Sequence, residues 1–181
     1  MAKTFIRFFT IADYEEEEIW LREMHKKGWR LIDMTPPCFF SFEACQPQDV
    51  IYRLDYKDDG QTEEYLRMAA DFGWEYCDQY FGWLYFRKPA DEARAEGEDQ
   101  LFSDHASRAE MAGRIVRTRL LPLLLIFLCC LLPNLINAIE GKMSAAGGIL
   151  GAILGILTAL YVYLIVHCGL KLKAIRDRYR D

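Results

Sequence analysis

Histidine is scarce in this chain. Only His25, His105 and His167 are present, 80 and 62 residues apart, and none of the six cysteines belongs to a CxxC pair. Zinc and dithiol redox centres hold their ligands close together on short loops, so neither chemistry is indicated. Cys38, Cys45, Cys77, Cys129, Cys130 and Cys168 read instead as small buried hydrophobes in a reducing compartment. Also missing are a Gly-rich phosphate loop after a strand, a GxSxG elbow and an HExxH helix, the arrangements that serve nucleotide, acyl-transfer and metalloprotease chemistry. No cofactor or metal is expected. No secretory leader is read either, because the apolar stretch 3–9 is short and an acidic run follows it.

The front of the chain also lacks positive charge. Residues 1–104 carry 12 Lys/Arg against 23 Asp/Glu, a formal charge of −11, whereas 105–181 carry 10 against 4, or +6. An acidic front excludes the clustered Lys/Arg that phosphate contacts require, so no nucleic-acid partner is expected.

What the back half has is long uncharged runs. Residues 120–139 and 143–170 contain no charge, and a hydrocarbon core of ~30 Å needs ~20 helical residues. The expected partner is the lipid bilayer, spanned by a two-helix transmembrane hairpin. Arg114, Arg117 and Arg119 precede the first run, and Lys171, Lys173, Arg176, Arg178 and Arg180 follow the second. The positive-inside rule then places both termini in the cytosol of a multi-pass cell-membrane protein. Pro133 should bend the first span, with Asn134 and Asn137 capping it or bonding across the hairpin. Gly147, Gly151 and Gly155, four residues apart and followed by Ala159, form a small-residue stripe. It suits packing within the hairpin or self-association between chains.

The front half repeats itself. Shifted by 45 residues without gaps, it gives eight identical pairs: Ile6/Ile51, Asp13/Asp58, Glu18/Glu63, Leu21/Leu66, Arg22/Arg67, Gly28/Gly73, Trp29/Trp74 and Asp33/Asp78. Each unit reads β-α-β-β. The strands are expected at 5–9, 29–34 and 39–45, and then at 50–56, 74–80 and 83–88, with each helix stopping at its glycine. Asp13 is the expected helix cap with Glu16 as its partner, and the run Glu15, Glu16, Glu17, Glu18 sits at the positive end of the helix dipole. The fold class is therefore α+β: a duplicated β-α-β-β unit forming one antiparallel sheet with two helices on one face, then the helical hairpin. The expected divisions are 1–88 for the cytosolic domain and 89–119 for an acidic linker with a juxtamembrane helix from about 103. Residues 120–170 form the hairpin and 171–181 a basic tail.

The ordered set Tyr52-Arg53-Leu54-Asp55-Tyr56, Glu64-Tyr65, Gly73-Trp74-Glu75-Tyr76 and Tyr85-Phe86-Arg87-Lys88, with Trp20-Leu21 and Gly28-Trp29 upstream, resembles domain of unknown function 2812 over about residues 3–88. The resemblance implies a bacterial membrane protein, often encoded beside PadR-type transcriptional regulators, and no established activity. At fold level the layout also resembles ligand-binding domains of the gyrase-inhibitor-like type.

Twenty of the first 88 residues are aromatic, more than two short helices cover on a one-sided sheet. Tyr52, Tyr56, Trp83 and Tyr85, with Arg53 as polar anchor, are the expected binding residues of an open sheet face. Rings attract cations, and the −11 charge adds to that attraction. Asp33 and Asp78 are matched carboxylates that the repeat could bring together. The expected function is a membrane-tethered, non-enzymatic sensing or interaction module that takes a small apolar or cationic ligand or a protein partner. The alternatives are an enzyme acting on a lipid-like substrate at the membrane surface and an accessory subunit of a membrane complex.

Overall fold

The computed structural model describes residues 2–57, 63–93, 105–140 and 147–179, which fall into two compact units, Met1–Met111 and Ala112–Asp181. The fold is α+β: two small antiparallel sheets in the first unit and two long apolar helices towards the C-terminus.

In the first unit β1 (Ala2–Ile6), α1 (Tyr14–Lys26), β2 (Trp29–Thr35) and β3 (Phe39–Ala44) are followed by β4 (Val50–Tyr56), α2 (Glu63–Asp71), β5 (Glu75–Tyr80) and β6 (Trp83–Pro89). β1 begins and ends three residues earlier than the sequence suggests. Gly28 (φ 84°) and Gly73 (φ 78°) end the two helices in the left-handed region, where a Cβ is unfavourable. Asp13 does not cap α1 through its side chain. Its carboxylate instead accepts from the backbone N–H and hydroxyl of Thr10 at 2.8 and 2.6 Å, fixing the entry to the helix.

The strands do not merge into the single sheet expected. They form two three-stranded antiparallel sheets, ordered β1-β3-β2 and β4-β6-β5. β2 and β5 are neighbouring edges, but side chains make the seam. Asp78 Oδ2 accepts from Met34 N–H at 2.9 Å, and Arg87 Nη1 reaches Leu31 O at 3.4 Å. Each edge strand carries a bulge. β2 pairs Leu31 with Phe42 and then Asp33 with Ser41, skipping Ile32. β5 pairs Tyr76 with Phe86 and then Asp78 with Tyr85, skipping Cys77. A bulge disrupts the even spacing of edge donors and acceptors and increases the twist, so two bulged edges do not zip into one ladder.

Nor do the two helices share a face. Trp20 of α1 packs on Phe40 and Phe42 of the first sheet, ring centroids 4.9 and 5.6 Å apart. The neighbouring stripe of α1 lies on the second sheet, with Tyr14 against Trp83 at 5.4 Å and Glu17 bonded to Tyr85. The opposite face of the second sheet holds Ile51, Leu84 and Phe86, packed with Tyr65 and Ala69 of α2 and with Trp74. The layers thus alternate: first sheet, α1, second sheet, α2. This arrangement absorbs the aromatic excess, since α1 is covered on two sides and the second sheet on both faces.

In the second unit α3 (His105–Ile115), whose start lies in the first unit, leads through Val116–Leu120, α4 (Leu121–Ile126) and Phe127–Leu131 into α5 (Leu132–Ile139). The two intervening segments have π geometry and stand just before Pro122 and Pro133. A widened turn relieves the clash between a proline ring and the preceding turn. Asn134 Nδ2 donates to Cys130 O of the same helix at 2.6 Å, so its amide serves the π segment and not a cross-helix bond. α6 (Gly147–Arg178) is one continuous helix. Phe127 stacks on Tyr161 at 6.2 Å, and a methyl built on Gly169 would meet Leu120 at 3.7 Å. Residues 108–137 and 151–178 are long and apolar enough to cross a membrane, and the most apolar 18-residue window of each is 0% and 6% buried.

Candidate functional site

The charged residues that come together do so beneath α1. Tyr14, Glu17, Glu18, Leu21 and His25 recur at helical spacing, so they share one stripe, and all five are buried. Each polar member meets a partner on the second sheet. Glu17 accepts from Tyr85 Oη at 2.7 Å. Glu18 Oε1 accepts from Leu54 N–H at 2.9 Å, and Oε2 accepts from Arg53 Nη1 at 3.0 Å. His25 Nδ1 lies 2.9 Å from Tyr52 Oη. β4 is an edge strand of its sheet, and the Leu54 N–H is one of its outward donors. Glu18 therefore closes a backbone group that a neighbouring strand would otherwise take. Further along, Met111 Sδ accepts from Tyr56 N–H at 3.3 Å.

Burial sets the electrostatics. It pushes the Glu17 carboxyl up to about 7 against the lowering effect of the Tyr85 hydroxyl, and the neighbouring Glu18 and Asp13 carboxylates add to the rise. Glu18 is also raised by burial, which outweighs the attraction of Arg53 and Arg108. His25 is lowered by burial and then by the positive charges of Arg87 and Arg30, which favour the neutral ring. Tyr52 is pushed up to about 12 by burial and stays a phenol. The Glu17 carboxyl, pushed up to about 7, thus exchanges its proton near neutral pH at the contact between α1 and the second sheet.

The expected binding residues are placed differently from the reading of an open aromatic face. Tyr52, Tyr56 and Tyr85 are 1% exposed and Trp83 is 9% exposed. They share the face that α1 covers, because a sheet sandwiched between two helices leaves no face open. Arg53 is on the same strand but on the other face, and it turns to Glu18 instead of anchoring a ligand. Its strand neighbours are engaged as well: Asp55 accepts from Tyr65 Oη, and Lys57 Nζ stands over the Tyr65 ring. Asp33 accepts from Thr35 Oγ1, while Asp78 bonds the backbone of β2; neither lines a cleft. Sequence reasoning gave Glu17 and Glu18 a place at the positive end of the helix dipole and no buried partner. The signal that locates them is their register with Tyr14, Leu21 and His25.

Among the described residues no group of three or more His, Cys, Asp or Glu is arranged to hold a metal. None of the six cysteines is in a disulfide, and only Cys168 is buried. A groove along α6 is lined by Ala159, Val162, Tyr163, Val166 and His167. A Cβ on Gly155 would meet nothing within 4 Å.

The family described as protein of unknown function (DUF2812) matches residues 13–126, which include α1, the second sheet with its buried contacts, and the helix as far as Ile126. The chain belongs to the DUF2812 family. No curated protein and no solved structure matches this DUF2812 chain. The match covers every residue of the α1 stripe and its partners but leaves out β1.

Proposed function

We propose that this chain is a membrane-tethered, non-catalytic sensing or interaction module. Its apolar helices form a hairpin through the bilayer, and its first unit works in the cytosol with both termini on that side. The observation that carries the proposal is the pair of long apolar helices whose most apolar windows are left almost unburied. Such surface needs lipid around it. Basic residues flank the outer ends of both helices, and one acidic and one basic residue lie in the connection, the pattern that favours a cytosolic front unit. The front unit is in this reading a duplicated β-α-β-β unit. Supporting it are the eight identities, the matched strand orders, and the left-handed glycines and bulges that recur 45 residues apart.

A small apolar or cationic ligand reaches Tyr52, Tyr56, Trp83 and Tyr85 only where α1 lifts from the second sheet. Ligand sensing, on this reading, is an exchange between the ligand and α1, with Glu17 and Glu18 uncovered as it happens. The topology has a direct test in a variant lacking the native cysteines. A cysteine at Ser144 is expected to react with an impermeant reagent from outside intact cells, and one at Asp181 to be protected until the membrane is opened. The reverse pattern overturns the orientation.

A further inference from the structure

The helices of the second unit stay packed beyond their apolar runs. Ala112 and Ile115, ahead of the first run, and Leu172 and Ile175, after the second, are buried. On α6 Cys168, Leu172 and Ile175 recur at helical spacing and form one buried stripe. Phe127 meets Tyr161 and Leu120 approaches Gly169, so residue numbers fall along one helix as they rise along the other. On that course Arg117 and Arg119 stand at the level of Lys171 and Lys173. The basic residues at the ends of the runs are therefore carried on packed helix, within ~14 Å of rise between Gly169 and Arg178.

The charge of this collar does not balance within the two helices. Residues 111–139 and 147–179 contain seven Lys/Arg, namely Arg114, Arg117, Arg119, Lys171, Lys173, Arg176 and Arg178, and one acid, Asp177. The next acid along α3 is Glu110, four residues before Arg114. Two carboxylates leave a surplus of five positive charges, whichever pairs form among them, and Arg117, Lys173, Arg176 and Arg178 are exposed. Next to the collar, on the outer side of α6, is a groove of about 580 Å³ lined by Ala159, Val162, Tyr163, Val166 and His167. The small Ala159 opens it between Ile156 and Tyr163, which are 70% and 61% exposed. The Tyr163 and His167 rings stack at 5.7 Å, and Lys171 follows His167 by one helical turn, a rise of ~6 Å. That is the depth of one headgroup layer. An apolar groove thus leads, through two polar rings, to an unbalanced basic collar.

We propose that the groove and the collar form a binding site for an anionic glycerophospholipid. An acyl chain lies along Ala159, Val162 and Val166, and the phosphate sits between His167 and Lys171, with the rest of the collar supplying the field that draws it there. Charge complementarity selects this occupant: a zwitterionic lipid brings its own cation and leaves the surplus unmatched. The inference rests on the tethered reading above and names a lipid class for that membrane contact.

The test uses the full chain in unsealed phosphatidylcholine bilayers, where its orientation does not matter. Trace spin-labelled phosphatidylglycerol or phosphatidylcholine reports, by electron paramagnetic resonance, how much lipid is immobilised on the protein. Wild type is expected to hold phosphatidylglycerol at least ~5-fold more strongly than phosphatidylcholine, the factor that a single cation near the surface supplies. The triple variant Lys171→Gln, Lys173→Gln, Arg176→Gln should lose that preference. Ala159→Leu fills the groove, leaves every charge in place and should lose most of it, with unchanged helical circular dichroism because Ala159 is exposed. Equal retention of the two lipids by wild type overturns the proposal, as does a triple variant that keeps the preference. An undiminished preference in Ala159→Leu overturns the groove as the seat. Displacement of the labelled lipid by excess glycerol 3-phosphate would assign the collar to a free phosphate ester and equally overturn it. A chain that does not enter bilayers defeats the tethered reading, whereas an inserted chain without lipid preference defeats this inference alone.

Discussion

The first and second sheets have the same strand order and near-matching lengths, yet among the described residues only the second is covered on both faces. The first leaves one face to solvent and has answered with small and polar residues there. The second, with α1 on one side and α2 on the other, is aromatic on one face and carries the Ile51, Leu84 and Phe86 core on the other. Topology alone therefore does not decide which residues a strand needs. The layer that lands on each face does, and that layer comes from a different part of the chain.

The contrast is sharpest for ion pairs. Glu18 with Arg53 is buried at the second sheet, 5% and 19% exposed, while Arg30 with Glu43 lies on the open face of the first. Glu18→Ala leaves the Leu54 N–H without its acceptor and takes the carboxylate from Arg53, which keeps its bond to Tyr52 O, and a loss of about 3 kcal/mol is expected in denaturant unfolding. Glu43→Ala should change stability by less than ~1 kcal/mol. Equal effects would mean that α1 is not held as described.

Apolar positions should separate next. Leu84→Ala empties a fully buried site and should cost about 2–5 kcal/mol. Phe39→Ala, on the open face, should cost less than ~1 kcal/mol in the monomer. A Phe39 effect as large as the Leu84 effect would show that the first sheet's outer face is covered within a single chain.

The smallest effect is the dependence on pH. Glu17 has a folded-state pKa of about 7, above its ordinary 4.5, so the folded state binds this proton more tightly than the unfolded chain does. Its ionisation opposes folding. Stability from this group is complete below about pH 4.5 and is lost as pH rises to about 7, by at most roughly 3 kcal/mol. Glu17→Gln cannot ionise and should flatten that part of the stability profile. An unchanged slope between these pH values would show that Glu17 is not the group responsible.

Much of this was legible in the residues. The glycine stops, the order of elements along the chain and the second sheet's strands follow from local rules, and the two apolar runs announce themselves by length. The sandwiching of α1 was not legible, because the 3.6-residue period of Tyr14, Glu17, Glu18, Leu21 and His25 includes two carboxylates, and acidic residues in a first helical turn have a ready local explanation. Only the partners on β4 and β6, far along the chain, show that they point inward. For the same reason the aromatic excess was assigned to an open face: alternation along β4 and β6 tells which residues share a face, not what lies on it. The separation of the sheets was hidden by the bulges, which alternation cannot reveal where β5 is polar and aromatic throughout.

Those bulges reach into the history of the chain. Ile32 and Cys77 are surplus to their ladders, so removing either leaves every remaining pair facing as before. Removing any other residue of β2 or β5 turns the rest of the strand over. Each strand thus has one place where its length is negotiable. Both stand at the same position in their halves, and on the duplication reading the extra residue was inserted once, in a single ancestral unit, before the chain doubled.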